Sequence, residues 1–405
     1  MMRLPQHDQT SRLILASSAT PFLDGYSTAS AAFLISLLPG FSPLEVALFT
    51  SLYLVGSFLG ALGVGSVTDH WGRRPPYLTL MSAVGIMVAF AAICPSVTGL
   101  LVMRLVTGFA LGGDYPVSQA MVSEHCCDKV RPQALTFLML AWYFGALAGV
   151  VASAPVTQGT LPWTAILWFQ AGIAAVALVL RLGISESPDW LAHKKAYRRL
   201  RARSLNSGIL AEVQSIFETI GIHKGAVVFC SAFWLCQTIP ATIMMLYSPK
   251  ILYNISGTTS SFVQMLILYG FFLIGTVPAG SRYLLSHPKA VLSITFLTMA
   301  MGIFGVFLFA EKSEILTNIS FVIFAVSYGL QSPLDFVYPN RLFQTEVRGT
   351  LIGVVTSVSR IGAAGAAFTF PLLEHHFAIE ILLGCGICVL ILGFLIATKW
   401  APGDK

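Results

Sequence analysis

GSVTDHWGRRP, residues 65–75, lies between two long oily segments, LEVALFTSLYLVGSFLGALGV (44–64) and YLTLMSAVGIMVAFAAIC (77–94). It gathers an acid (Asp69), an imidazole (His70) and two guanidinium groups (Arg73, Arg74) in a 405-residue chain that is 56% hydrophobic and 10% charged. Water-soluble proteins hold roughly a quarter charged residues. This composition places the chain in a membrane and the charged stretch at its surface. A helix needs about 20 apolar residues to cross the hydrocarbon core, because its backbone polar groups must be satisfied internally. Stretches of that kind fall near 13–38, 44–68, 76–95, 98–122, 134–157, 163–184, 225–250, 258–284, 289–310, 315–338, 350–373 and 377–400. The expected fold is an all-α membrane protein of twelve transmembrane helices.

The head MMRLPQHDQTSR is polar and runs into the first span without a small-residue cleavage site, so no signal peptide is expected. Lys and Arg accumulate in cytoplasmic loops. Placing both ends and the even-to-odd loops in the cytoplasm leaves only Lys250 and Lys312 opposite, with Arg104 and Arg360 inside spans. The orientation is therefore N-in and C-in, and the net charge of +6 reflects that asymmetry rather than nucleic-acid affinity. One connection is long. Residues 185–224 separate an N-terminal six-helix bundle (1–184) from a C-terminal one (225–405). The basic core of this cytoplasmic linker, HKKAYRRLRAR, reads either as a solvated positive-inside segment or as a short interfacial helix held by anionic lipid.

The halves echo each other. GSVTDHWGRRP follows span 2 and GSRYLLSHPK (280–289) follows span 8; Glu124 with Arg131 follows span 4, and Glu346 with Arg348 follows span 10. Two pseudo-symmetric bundles with a site at their interface are the construction of alternating-access carriers.

Gly65, Asp69, Gly72, Arg73 and Arg74 fit G-x-x-x-D-x-x-G-R-R, the loop signature of the major facilitator superfamily, which this chain resembles. RLVTGFALGGDYP (104–116), SEHCCDKVR (123–131), SESPDWL (185–191), YSPKIL (247–252) and VYPNRLFQTEVRG (337–349) resemble its sugar-porter branch and the neighbouring metabolite, phosphate and aromatic-acid:proton symporters. The resemblance implies that Asp69, Arg73, Arg74, Glu124, Arg131, Glu186, Glu346 and Arg348 form a cytoplasmic gate, pairing across helices in one state and separating in the other. Arg73 and Arg74 are expected to meet Glu124 or Glu186, and Asp69 to face a positive helix end. The second half departs from the pattern, with Leu284 where the acid should recur and Arg341 where the sugar-porter pattern has Glu. A rewired or weak second latch follows.

Charges inside spans point to mechanism, since each costs a few kcal/mol at the bilayer centre. Asp24 lies about 11 residues into span 1, roughly 16 Å deep at 1.5 Å per residue. With Arg104 it resembles the acid and arginine pair of proton-coupled sugar porters, although the usual G-Y-D acid is Ser27 here and Asp24 is one turn earlier. Asp24 is the first candidate for proton coupling, and Asp114, in GGDYP, is the second; a static ion pair is the other reading of each. Asp335, near the cytoplasmic end of span 10, reads as structural or gating.

The sugar-binding positions are largely gone. CQTIPATIMMLYSPKIL (236–252) keeps Gln237, but the remaining members of the sugar-porter pattern are Cys236, Pro240 and Thr242, and Tyr143 and Phe336 stand for its span-5 Gln and span-10 Trp. A sugar site loses much of its affinity when its donors and acceptors go unpaired. The substrate-binding candidates are Arg104, Tyr115, Gln119, Trp142, Tyr143, Trp234, Gln237, Gln331 and Arg360. Their aromatics and two cationic anchors favour a small polar or anionic metabolite over a hexose. Arg360 has an alternative use as partner of Asp24 or Asp114.

The cysteines (Cys126 and Cys127, Cys230 and Cys236, Cys385 and Cys388) lack accompanying His or carboxylate at metal-ligand spacing. No P-loop and no catalytic constellation is present, so no cofactor, metal or enzyme activity is expected. The expected protein is a bacterial inner-membrane carrier coupling a small-molecule substrate to a proton, monomeric by the superfamily's habit. A proton-driven exporter of amphipathic compounds and a non-transporting receptor would share the architecture.

Overall fold

The computed structural model describes residues 6–37, 43–93, 96–192, 216–256, 261–309, 312–374 and 379–402. The described residues are helical, and the basic stretch 193–203 lies outside them. The long helices are α1 Gln6–Leu37, α2 Pro43–Trp71, α3 Arg74–Ile93, α4 Val97–His125, α5 Arg131–Thr157 and α6 Thr164–Leu182 in the first half. The second half has α7 Lys224–Ser256, α8 Ser261–Ala279, α9 Pro288–Phe309, α10 Glu314–Leu342, α11 Arg348–Glu374 and α12 Ile379–Trp400. Ten of these are long and apolar enough to cross a membrane by length and composition; α1 and α8 fall outside that set over their described residues.

Neighbour relations repeat with an offset of six helices. The contacts α1·α5, α2·α4, α3·α6 and α3·α4 recur as α7·α11, α8·α10, α9·α12 and α9·α10. The repetition extends to single residues. A Cβ on Gly108 of α4 would sit 2.1 Å from the Tyr53 carbonyl of α2, and one on Gly329 of α10 would sit 2.1 Å from the Phe272 carbonyl of α8. Lipid is as apolar as leucine, so helices in a membrane associate through close packing, which small residues allow. α3, α6, α9 and α12 stand outside and expose Ile86, Phe90, Val176, Val179, Ile294, Met301 and Ile391, side chains suited to hydrocarbon.

The two halves meet along α2·α11 and α5·α8, a pair that the offset of six exchanges. α10 departs from a plain span. Its ladder is interrupted between Gln331 and Leu334, where Pro333 offers no N–H, and Leu334–Leu342 continues as a separate piece. The break puts Asp335 in the first turn of a short helix.

One basic residue is placed differently from the positive-inside reading. Arg181, assigned there to the cytoplasmic side, is fully buried within the first half. Its guanidinium holds both oxygens of Asp114 at 2.6 and 3.0 Å, donates to the Tyr77 carbonyl at 2.6 Å and stacks 3.9 Å above the Tyr77 ring. Thr20 and Ser118 complete the shell of Asp114. Removing one partner of a buried pair leaves an uncompensated charge, at a cost of about 3–5 kcal/mol. Arg181→Met should therefore lower the thermal unfolding temperature of the purified protein sharply, and adding Asp114→Leu should restore much of it. An unchanged unfolding temperature in the single variant would contradict this packing role.

Candidate functional site: a central cavity closed at its basic end

A cavity of about 480 Å³ lies between the halves. Its walls come from α1 and α2 (Thr28, Thr50, Tyr53), α4 and α5 (Arg104, Tyr115, Trp142), α7 (Trp234, Thr238, Thr242), α10 (Tyr328, Asp335, Phe336) and α11 (Ser359, Arg360). It extends toward the end where α1 finishes and α2 begins, lined there by Ala31, Ala32, Val46 and Met245. That is the end opposite the stretch 65–75.

Asp24 lies just beneath the cavity wall and is 2% exposed. Tyr53 donates to its Oδ1, while Tyr115, Trp142 and Arg360 donate to its Oδ2 at 2.6, 2.9 and 3.0 Å. The cation paired with Asp24 is thus Arg360 of the second half rather than the expected Arg104. Arg104 instead donates to the Ser27 hydroxyl at 2.8 Å and to the Ser27 and Phe49 carbonyls at 3.3 and 3.0 Å. The arginine still faces the motif position now filled by Ser27, and the acid displaced by one turn has taken a partner from the opposite half. Arg104 stacks over the Phe49 and Tyr53 rings at 4.8 and 4.3 Å. Among the described residues it makes no salt bridge.

Of the other substrate-binding candidates, Tyr115, Trp142, Trp234 and Arg360 line the cavity, whereas Gln119, Tyr143, Gln237 and Gln331 do not. Gln119 accepts from Asn340 at 3.0 Å, and Tyr143 donates to Ser332 at 2.9 Å. Both are bridges between the halves on the basic side of the cavity. Gln237 faces Asp335, and Gln331, on α10, is fully buried with both amide atoms lacking a partner among the described residues. Asp114, held by Arg181, does not line the cavity either. Tyr53, Phe49 and Arg181 went unread in the sequence, since an aromatic in an apolar span and an arginine at a span end look like packing and topology.

Below the cavity the basic end is shut. Asp69 accepts from the backbone N–H groups of Gly349 and Thr350 at 3.2 and 2.7 Å and from the Thr350 hydroxyl at 2.7 Å, which caps the start of α11. Arg73 sits 2.9 Å from Asp69, donates to both oxygens of Glu124 at 3.0 and 3.2 Å, and reaches the Thr345 carbonyl of the other half at 3.1 Å. Arg348 joins Glu124 at 3.5 Å, and Ser187 also donates to it. Glu186 accepts from the backbone N–H groups of Arg73 and Arg74, capping α3, while the Arg74 side chain bonds the Ile184 and Leu182 carbonyls. Arg131, expected in the cytoplasmic gate, forms its salt bridge with Asp128 at 2.8 Å and donates to the Ser123 carbonyl at 2.7 Å. Glu346 lies half-buried on the loop entering α11.

The signature glycines have physical causes here. A Cβ on Gly65 would stand 2.6 Å from the Gly349 carbonyl, and one on Gly353 would stand 2.3 Å from the Ala61 carbonyl. α2 and α11 therefore touch backbone to backbone. Gly72 has φ of +105°, a turn that other residues rarely adopt, and it brings Glu186 under α3. At the corresponding place in the second half the chain has Leu284 instead of an acid. Leu284 is half-buried, and the N-cap of α5 is Val130, with no side-chain capping bond.

Comparison with known proteins agrees with this architecture. The family model for the Major Facilitator Superfamily matches residues 15–367. The inner membrane metabolite transport protein YgcS of Escherichia coli is 26% identical over 99% of this chain and 93% of its own. The 4-hydroxybenzoate transporter PcaK of Pseudomonas putida is 23% identical over 88% of this chain and 85% of its own. Among solved structures, the proton:xylose symporter XylE bound to 6-bromo-6-deoxy-D-glucose superposes with a TM-score of 0.82 at 17% identity, covering 99% of this chain and 98% of that one. The chain belongs to the major facilitator superfamily. It is a multi-pass inner-membrane transporter, not an enzyme.

Proposed function

We propose that this protein is a proton-coupled symporter of a small organic anion, working by alternating access between a 1–184 bundle and a 225–405 bundle, with both chain ends in the cytoplasm. The latched basic end is then the cytoplasmic one, and the cavity faces outward. The observation that carries the reading is Arg104, a buried guanidinium at the cavity wall whose motif partner is the neutral Ser27. A cation in that position is costly without a counter-charge, and a substrate carboxylate or phosphate supplies one bidentately. Trp142, Trp234, Tyr115 and Phe336 offer flat apolar walls, which suit an aromatic or short aliphatic body better than a sugar ring.

Proton coupling follows from the Asp24–Arg360 pair. It joins the two halves near the membrane centre, so neutralising Asp24 breaks a bond between bundles at the point where they must part. Rocking then exposes the cavity to the other side, and release of the proton re-forms the pair.

The test is a thermal-shift screen of purified protein against sugars, sugar acids, aromatic acids and phosphate, repeated with Arg104→Ala. An organic anion should stabilise the native protein, and the variant should bind it at least about 30-fold more weakly, since losing one partner of a desolvated charge pair costs about 2–5 kcal/mol. Stabilisation by a neutral sugar that survives Arg104→Ala would refute the anion reading.

A further inference from the structure

Asp335 is a second acid at the cavity, and the coupling scheme above makes no use of it. It is 1% exposed, lies on the first turn after the break in α10, and forms no salt bridge among the described residues. Its hydrogen-bond partner is an amide. The terminal amide of Gln237, on α7, sits 2.7 and 2.9 Å from the two carboxylate oxygens.

That choice of partner is informative. Arginine offers only donors and suits only an ionised carboxylate, whereas an amide has an N–H₂ face and a carbonyl face. With nitrogen toward Asp335 it donates to the carboxylate; turned by 180° it accepts from the protonated acid. Both orientations fit the same space without moving a helix, so the pair tolerates either protonation state. Asp24 differs, because its four partners are all donors.

Charged and titratable groups face Asp335 from each side. Tyr143 lies toward it from α5, Cys230 from α7, Tyr328 from α10 itself and Arg360 from α11. Arg360 matters most. Its terminal nitrogen holds Asp24, its Nε has no partner among the described residues, and its charge acts on both acids. Two carboxyl groups, one from each half, thus share one guanidinium.

We propose that Asp335 is a second proton-carrying site, exchanging a proton with the cavity as Gln237 turns its amide, and drawing on Arg360 when Asp24 is neutral. The inference goes beyond the symport reading, because it concerns where protons reside and needs no substrate.

The experiment is infrared difference spectroscopy of the full-length protein in phosphatidylcholine liposomes, stepped in pH without substrate and repeated in D₂O. Beside any band from Asp24, which Asp24→Asn removes, a second titrating carboxylic C=O band is expected in the native protein; it persists in Asp24→Asn and is lost in Asp335→Asn. Asp335→Glu should restore a titrating band at a shifted frequency, and Gln237→Leu should shift the native band by removing its hydrogen bond. A spectrum of Asp335→Asn identical to that of the native protein would overturn the proposal, as would an Asp335 band that stays constant across the whole pH range. The role of Asp24 is read from uphill accumulation instead, so the two can fail separately.

Discussion

Asp24→Asn should leave the carrier able to exchange substrate across the membrane and unable to concentrate it. The carboxylate is satisfied by three neutral donors and one cation, and that cation, Arg360, belongs to the other half. Asparagine keeps the shape but carries no charge and takes no proton at working pH. Its amide keeps an oxygen for Tyr115, Trp142 and Arg360 and turns its N–H₂ toward the Tyr53 hydroxyl, so the tie between the bundles loses its ion pair and is weakened permanently. With the tie no longer gated by protonation, the pH gradient has no differential hold on the two states, and a ligand or proton shifts an equilibrium only by its differential affinity. Accumulation driven by an imposed pH gradient in proteoliposomes should fall to the equilibrium ratio of about 1, while counterflow persists. Native accumulation in the variant would remove Asp24 from the coupling scheme.

Asp69→Asn should open the basic end. The Asp69 carboxylate accepts three bonds from Gly349 and Thr350, which hold α2 against the start of α11, and pairs locally with Arg73, four residues on. An asparagine keeps one acceptor and presents an N–H₂ group to backbone donors, so at least one charge-assisted contact is replaced by an opposed pair. Hydrogen bonds to charged groups are worth about 1.5–3 kcal/mol each. Losing one shifts the latched equilibrium by on the order of 10- to 100-fold. Spin labels on the basic ends of α3 and α9 should report a longer distance population in the variant, and turnover should drop although the protein inserts normally. A distance distribution matching the native one would show that the latch lies elsewhere. Leu284 and Val130, which stand where a second charged clasp would be, leave the Asp69 cluster to hold this end with the Tyr143–Ser332 and Gln119–Asn340 bridges.

Much of this architecture was legible without coordinates, and the limits of that reading follow from particular residues. The positive helix end facing Asp69 was anticipated from charge and the signature, because a loop signature fixes residues that are close in sequence. For Asp24 the sequence leaves two partners open, Arg104 by resemblance and Arg360 as the alternative, and the structure has Arg360. Motif spacing shows which residues lie on which span, but the three-residue displacement from Ser27 to Asp24 moves the side chain about 4.5 Å along the axis and about 60° around it, which changes which helix it can reach. Polar groups in spans invite a functional reading, yet of Gln119, Tyr143, Gln237 and Gln331 two bridge the halves, one faces Asp335 and one is buried away from the cavity.

Composition and periodicity alone determined that the chain lives in a bilayer and is built of helices, because hydrocarbon admits no unsatisfied backbone. The duplicated motifs further implied two related halves. Tertiary structure alone decided that Arg360 ties Asp24 across those halves, that Arg104 faces the cavity opposite a serine, that Arg181 is a buried clasp, and that an amide is the companion of Asp335. Those pairings join residues up to 336 positions apart. They depend on how helices rotate and approach one another, and a local pattern of residues contains no record of that.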